Sequence, residues 1–200
     1  MYVPFVKRVI DILIGMAAMP FVLLVTICCA PFIYLTDRGP VFYNAKRVGK
    51  DCKFFSMYKF RSMYVNSPNW LNPDGSTFNS DSDPRVTPIG RFMRKTSLDE
   101  FPQFLNILKG DMSFIGPRPK YINPARDYND LDGDIKTSFT VKPGITGYSQ
   151  AYFRNSITAD EKLRCDAYYA ENISFMLDVK IFFKTINSVL LRKNINTGQS

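Results

Sequence analysis

Apolar and polar positions divide this chain into two unequal parts. From Ile12 to Leu35 about two dozen residues carry no charge, enough to cross the hydrocarbon core of a bilayer as a helix. Pro20 and Pro31 punctuate the run. Basic residues flank it on both sides, Lys7 and Arg8 before and Arg38, Lys46 and Arg47 after. A helix crossing once by the positive-inside tendency would show an asymmetry of charge. A segment that enters, breaks near Pro20 and returns would keep both flanks on one face, provided the freed carbonyls find partners. The pattern therefore supports a re-entrant anchor beside the simple spanning helix. The run is too long for the apolar part of a cleaved signal peptide.

Beyond Thr36 the pattern shortens. RGPVFYNAKRVGK predicts two short strands, and FFSMYKFRSM from Phe54 another, whose period of two places Lys59 and Arg61 on one face. The stretch over 66–85 is dense in Asn, Ser, Asp, Pro and Gly and predicts a long surface loop. IGRFMRKTS from Ile89 sets Ile89, Phe92 and Met93 against Arg91, Arg94 and Lys95, an amphipathic turn suited to an anionic membrane surface. Leu98, Phe101, Phe104, Leu105 and Leu108 recur at helical spacing. Ser97 and Glu100 match a capping box, although Pro102 allows the helix to begin there instead. VKPGITGYSQ predicts a turn at Pro143 and Gly144. A second capping box, Thr158 with Glu161, opens a further helix, and an apolar C-terminal helix carries Asp178. The expectation is a mixed α/β chain. Residues 1–36 form the re-entrant membrane helix, and 37–200 a compact, mostly helical cytosolic catalytic domain with short strands and amphipathic interfacial helices.

Composition sharpens this picture. The net charge of +8 over 200 residues calls for an anionic partner. With no histidine in the chain, histidine-based nucleophile pairs, general bases and zinc sites are excluded, so carboxylates and cations must carry any catalysis. Cys28, Cys29, Cys52 and Cys165 show neither metal-knuckle nor disulfide spacing.

The residues best suited to chemistry are Asp99 and Glu100, adjacent carboxylates at the edge of a helix. There the macrodipole favours negative charge and would keep Asp99 ionised. An ionised aspartate beside a phosphate site can act as a nucleophile. The plainer reading is that both acids only decorate a first turn. Lys59 and Arg61 could grip a diphosphate, or edge a solvated strand. Pro117 and Pro119 stiffen the chain around Arg118 and present its guanidinium in a fixed direction, which suits a phosphate. Asp81 and Asp83 form a D-x-D, the metal-holding pattern of some nucleotide-sugar enzymes, and would support a membrane-associated glycosyltransferase. A non-catalytic basic membrane scaffold is the third reading.

The order of these motifs resembles a known family. KFRSM, DPRVTPIGRFMRKTSLDEFPQFLNILKGDMSFIGPRP, KPGITG, RNSIT, EKLRCDAYY and LDVKI resemble the bacterial sugar transferases, the monotopic phosphoglycosyl transferases, over nearly the whole chain. With no bundle of apolar helices ahead of Lys7, the likeness points to the small form of the family. It implies transfer of a sugar phosphate from a UDP-sugar to polyprenyl (undecaprenyl) phosphate with release of UMP, assisted by Mg2+, at the cytoplasmic face of the bacterial inner membrane. Carried over, Asp99 is the nucleophile and Glu100 supports metal binding or proton transfer, with both as metal ligands. Arg94 and Arg118 hold phosphates, Lys59 and Gln103 line the same cavity, and Asp178 belongs to the polar set of the site. Arg154 and Asn155 match nucleotide-contacting positions in part, Phe153 standing where glycine is usual. The implied partners are donor, lipid acceptor and membrane lipids, with no nucleic acid.

Overall fold

The computed structural model describes residues 2–70, 78, 80, 82–121, 133–153 and 156–190. A π-helical turn, Tyr2–Val6, leads into α1, Lys7–Asp37. The buried residues of α1 are Lys7, Asp11, Gly15, Val22, Cys29 and Ile33, a single stripe at steps of four and seven. Leu13, Phe21, Leu23, Ile27, Phe32 and Leu35 are exposed. The usual amphipathicity is thus inverted, since the stripe facing the protein carries a lysine and an aspartate while the opposite side is apolar. Helical backbone continues through Pro20 and Pro31, so any change of direction there is a bend within the helix and not the expected break.

Polar contacts hold both ends of α1 to the rest of the protein. At the start, Lys7 pairs with Asp178 at 2.6 Å. The Arg8 guanidinium donates to the carbonyls of Ile107 and Leu108, and Asp11 accepts from Ser113 Oγ and the Phe114 amide. In the middle, Gly15 lies so close to Leu108 that a Cβ would stand 2.7 Å from its Cδ2. At the far end, Arg61 donates to the Ile33 carbonyl and to Asp37.

The predicted pair of short strands is one strand, β1, Phe42–Val48, antiparallel to β2, Phe54–Phe60. The chain leaves the sheet after Phe60, so Arg61 turns inward and does not share the face of Lys59. Helix α2, Pro88–Thr96, starts as sequence chemistry dictates: Pro88 occupies its first position and Thr87 Oγ1 accepts from the Gly90 amide. Met93 on this helix is fully buried and Phe92 exposed. A 3-10 turn, Leu98–Glu100, connects it to α3, Gln103–Lys109. There follow β3, Ser113–Ile115; β4, Lys120–Tyr121; α4, Gly133–Ser138; β5, Gly144–Thr146; α5, Tyr148–Tyr152; α6, Ala159–Glu171; and α7, Phe175–Leu190.

One sheet has the order β2-β1-β4, and the second is the parallel pair β3-β5. The Pro143–Gly144 segment is therefore not a simple turn, since Gly144 opens a strand paired with Ser113. That pairing explains two glycines. A Cβ at Gly116 would meet the Lys142 carbonyl at 2.3 Å, and one at Gly144 would meet the Gly116 nitrogen at 2.1 Å. Close approach of the two backbones fixes the direction of the Gly116–Pro119 segment. A core of Cys29, Ile33, Phe60 and Met93 then takes in Leu98 and Phe101, so the 3-10 turn is pinned on both sides to α1.

Candidate active site

Ser97 ends α2 in the left-handed conformation, with φ 58°, and makes no side-chain cap. The expected capping box is absent because the Glu100 side chain has better partners. Lys59 Nζ donates to Glu100 Oε1 at 2.8 Å, and Arg118 Nη2 to the same oxygen at 2.9 Å. Helix α3 begins after Pro102, the alternative register, so the dyad sits on the 3-10 turn before the helix and not within its first turn.

The two carboxylates sit side by side in opposite electrostatic conditions. Burial raises the Glu100 carboxyl, but the charges of Arg118 and Lys59 and their hydrogen bonds outweigh it and hold Glu100 well below the usual carboxylate range. Asp99 is 8% exposed and accepts no hydrogen bond among the described residues. Burial pushes its carboxyl upward, with Glu100 adding to the shift, and Lys59, Arg94 and Arg118 only partly oppose it. The macrodipole argument that would have kept Asp99 readily ionised therefore fails in direction, because the loss of water outweighs a helix end one turn away. The result is a carboxylate with unused acceptor capacity, destabilised as an anion and surrounded by cations. Such a group is suited to attacking an electrophile or to ligating a cation.

The other expected residues separate into two groups. Lys59 and Arg118 meet at Glu100. Arg94 lies near Asp99 in charge and donates from Nε to Ser62 Oγ at 2.9 Å. Gln103 is buried at the start of α3. Pro117 and Arg118 line a small cleft with Val48, Gly49 and Lys120, and Pro119 leads from it into β4. Arg61 belongs elsewhere, with its donors taken by Asp37, Pro40 and Ile33. Asp178 forms a separate buried hub, accepting from Lys7, Tyr2 and Tyr169. Arg154 and Asn155 lie outside the described residues, as does Asp81. The Asp83 carboxylate is fully buried and taken by the Arg85 guanidinium through both oxygens, which leaves it poorly placed to hold a metal. Sequence reasoning missed the cluster in which Lys120 and Ser149 Oγ both donate to Asp166.

A metal could be held only with help. Among the described residues no cluster of three or more acidic or thiol side chains gathers. Mg2+ commonly uses one or two carboxylates and completes its shell with water and substrate phosphates. Asp99 fits that donor set, as does Glu100 Oε2, since both cations engage Oε1 alone.

A buried carboxylate near Lys59, Arg94 and Arg118, packed against an outward-apolar helix, is suited to handling a phosphate. Comparison with known proteins gives the family. The bacterial sugar transferase profile matches residues 2–192, and the chain belongs to that family. It is 41% identical over 189 residues to the UDP-N-acetylgalactosamine-undecaprenyl-phosphate N-acetylgalactosaminephosphotransferase of Aeromonas hydrophila, covering 93% of this chain and 44% of that protein. Identity is 39% over 204 residues to the undecaprenyl-phosphate galactose phosphotransferase of Salmonella typhimurium, covering 94% of this chain and 41% of that protein. Against the uncharacterized sugar transferase EpsL of Bacillus subtilis it is 38% over 179 residues, covering 84% of this chain and 83% of that protein. The chain thus spans less than half the length of the first two relatives and most of the third.

Proposed function

We propose that this protein transfers a sugar phosphate from a UDP-sugar to polyprenyl phosphate at the cytoplasmic face of the bacterial inner membrane. The names of the two longer relatives support the reaction class. The observation that carries it is the contrast at the dyad: Asp99 is buried without a hydrogen-bond partner among the described residues, while Glu100 is held by Lys59 and Arg118.

In this reading Asp99 Oδ attacks the sugar-bearing phosphorus. The bond from that phosphorus to the bridging oxygen breaks, and UMP leaves with the electron pair. A phosphate oxygen of the lipid then attacks the same phosphorus and frees the Asp99 carboxylate, giving polyprenyl diphosphate sugar. Glu100 stays ionised throughout and orients Lys59 and Arg118, which together with Arg94 answer the charge of the phosphoryl group. Mg2+ bound by Asp99 and Glu100 Oε2 would supply further charge neutralisation.

The arrangement of α1 supports a re-entrant anchor. A straight helix of this length would measure about 46 Å against a hydrocarbon core of about 30 Å. Both of its ends are bonded to the same domain, so a full crossing would place parts of that domain on opposite sides of the bilayer. The pinning of Leu98 and Phe101 to the Cys29–Ile33 stretch would keep the dyad within reach of a lipid phosphate. With the native cysteines removed, single-cysteine labelling at Val3 and at Lys46 should report the same side; labelling from opposite sides contradicts the re-entrant anchor.

The reaction is tested by supplying the full chain, in membranes or detergent, with a panel of UDP-sugars and polyprenyl phosphate. UMP release and a lipid-linked sugar diphosphate are expected. Release of UDP would point to glycosyl transfer instead, and no turnover with any donor would contradict the reading.

A further inference from the structure

Arg47 is a cation without a counter-charge in direct contact. It lies on β1 opposite Tyr121 of β4, and its guanidinium packs over the Tyr121 ring at 5.3 Å from the centroid. Its Nε is buried and has no hydrogen-bond partner. Among the described residues the side chain makes neither a hydrogen bond nor an ion pair. Buried polar groups are normally satisfied, and an unsatisfied charged donor calls for an explanation.

The surroundings supply one. Burial disfavours the protonated Arg47 guanidinium, the charge of Arg118 adds to that, and Tyr43, Tyr121 and Glu100 oppose it. Glu100 is already shared by Lys59 and Arg118. Asp99 is the adjacent acid, and Val48, next to Arg47 on β1, lines the same cleft as Arg118. Placing like charges together and desolvating one of them is unfavourable unless an anion completes the set. The Tyr121 face sets the plane of the guanidinium, so its donor fork is oriented before any ligand arrives.

We infer that Arg47 is a phosphate-binding residue of this site, acting beside Arg118 on the phosphate of a substrate. The inference rests on the sugar-phosphate transfer proposed above, in which both substrates carry phosphate. The experiment has to say which of them Arg47 serves.

The test uses the full chain with Arg47→Gln, which shortens the side chain and removes the charge, and Arg47→Lys, which keeps the charge but not the fork. Calorimetric titration with inorganic diphosphate reads anion binding independently of any turnover. Affinity should fall about 10- to 100-fold in Arg47→Gln, as expected for charge-assisted hydrogen bonds, and less in Arg47→Lys, with the melting temperature of the lysine variant unchanged. In the half-reactions, slower UMP release without lipid and a raised KM for the nucleotide sugar assign the donor diphosphate. A raised KM for polyprenyl phosphate alone assigns the acceptor. Wild-type diphosphate affinity together with wild-type half-reactions in Arg47→Lys, or in a folded Arg47→Gln, overturns the inference. Should the wild-type protein bind diphosphate through Arg47 yet turn over no UDP-sugar, the proposed reaction fails and the anion site stands.

Discussion

Asp99 and Asp178 are both buried acids that sequence placed in one site, and they have opposite surroundings. Asp178, 5% exposed, accepts from an ammonium and two phenols, and in doing so ties the start of α1 to α6 and α7. Asp99, 8% exposed, accepts from none of the described residues and has its carboxyl raised by burial. A buried charge whose partners are complete stabilises a particular arrangement of the chain. One left incomplete raises the energy of the folded state and lowers the cost of engaging a ligand. The comparison teaches that burial alone does not mark a functional acid; what matters is how much of its hydrogen-bonding capacity is left over.

Replacing each acid tests the contrast from opposite ends. Asp99→Asn should lower turnover by about 10^4-fold or more, since the amide is a poor nucleophile in the same volume, while raising thermal stability at neutral pH. The sign follows from the titration. Between the ordinary aspartate value of 3.8 and the raised value in the folded chain, the folded state keeps a proton that the unfolded state has released. Stability therefore falls as pH rises through that window, and the asparagine variant escapes the loss. A destabilised Asp99→Asn would break the contrast. Asp178→Ala should destabilise by about 3–5 kcal/mol, because it leaves Lys7 buried without its partner; a denaturant titration that finds the wild-type midpoint would make the hub decorative.

Smaller effects sharpen the account. Arg118→Lys keeps the charge but loses the fork held by Pro117 and Pro119, and should lower kcat/KM by about 1.5–3 kcal/mol. Wild-type kinetics would reduce Arg118 to a turn residue. The pH profile of UMP release should lose rate on the acid side at a pH above 3.8, as Asp99 takes up its proton, whereas Glu100, held low by Arg118 and Lys59, stays ionised across the same range. An acid limb at or below 3.8 would mean that Asp99 does not carry the titration.

Much of the candidate site was legible in the chain because it is local. The adjacency of Asp99 and Glu100 needed no fold to be seen, and Pro117 and Pro119 announced a stiff presentation of Arg118. Sequence reading failed where contacts between distant segments decided the outcome. Strand periodicity put Arg61 beside Lys59, but the sheet stops at Phe60 and Asp37 captures the guanidinium. The capping-box pattern at Ser97 and Glu100 was undone by Lys59 and Arg118, which lie 41 and 18 residues away. Arg47 looked like a flanking charge of the anchor, since nothing in the local pattern tells that Tyr121 pairs across from it. Helix α1 was readable as an apolar run, whereas its inverted stripe, with Lys7 and Asp11 facing inward, depends on packing against α7 and β3.

The central claim is that the free acceptor capacity of Asp99 serves covalent chemistry. Intact-protein mass spectrometry after mixing the wild-type enzyme with its UDP-sugar and Mg2+, without polyprenyl phosphate, tests it directly. The account predicts about one equivalent of UMP released, a mass increase equal to one sugar phosphate mapping to Asp99, and loss of both in Asp99→Asn. An unmodified mass on an enzyme that turns over when lipid is supplied, with kinetics requiring both substrates bound together, would contradict it and leave Asp99 as a metal ligand.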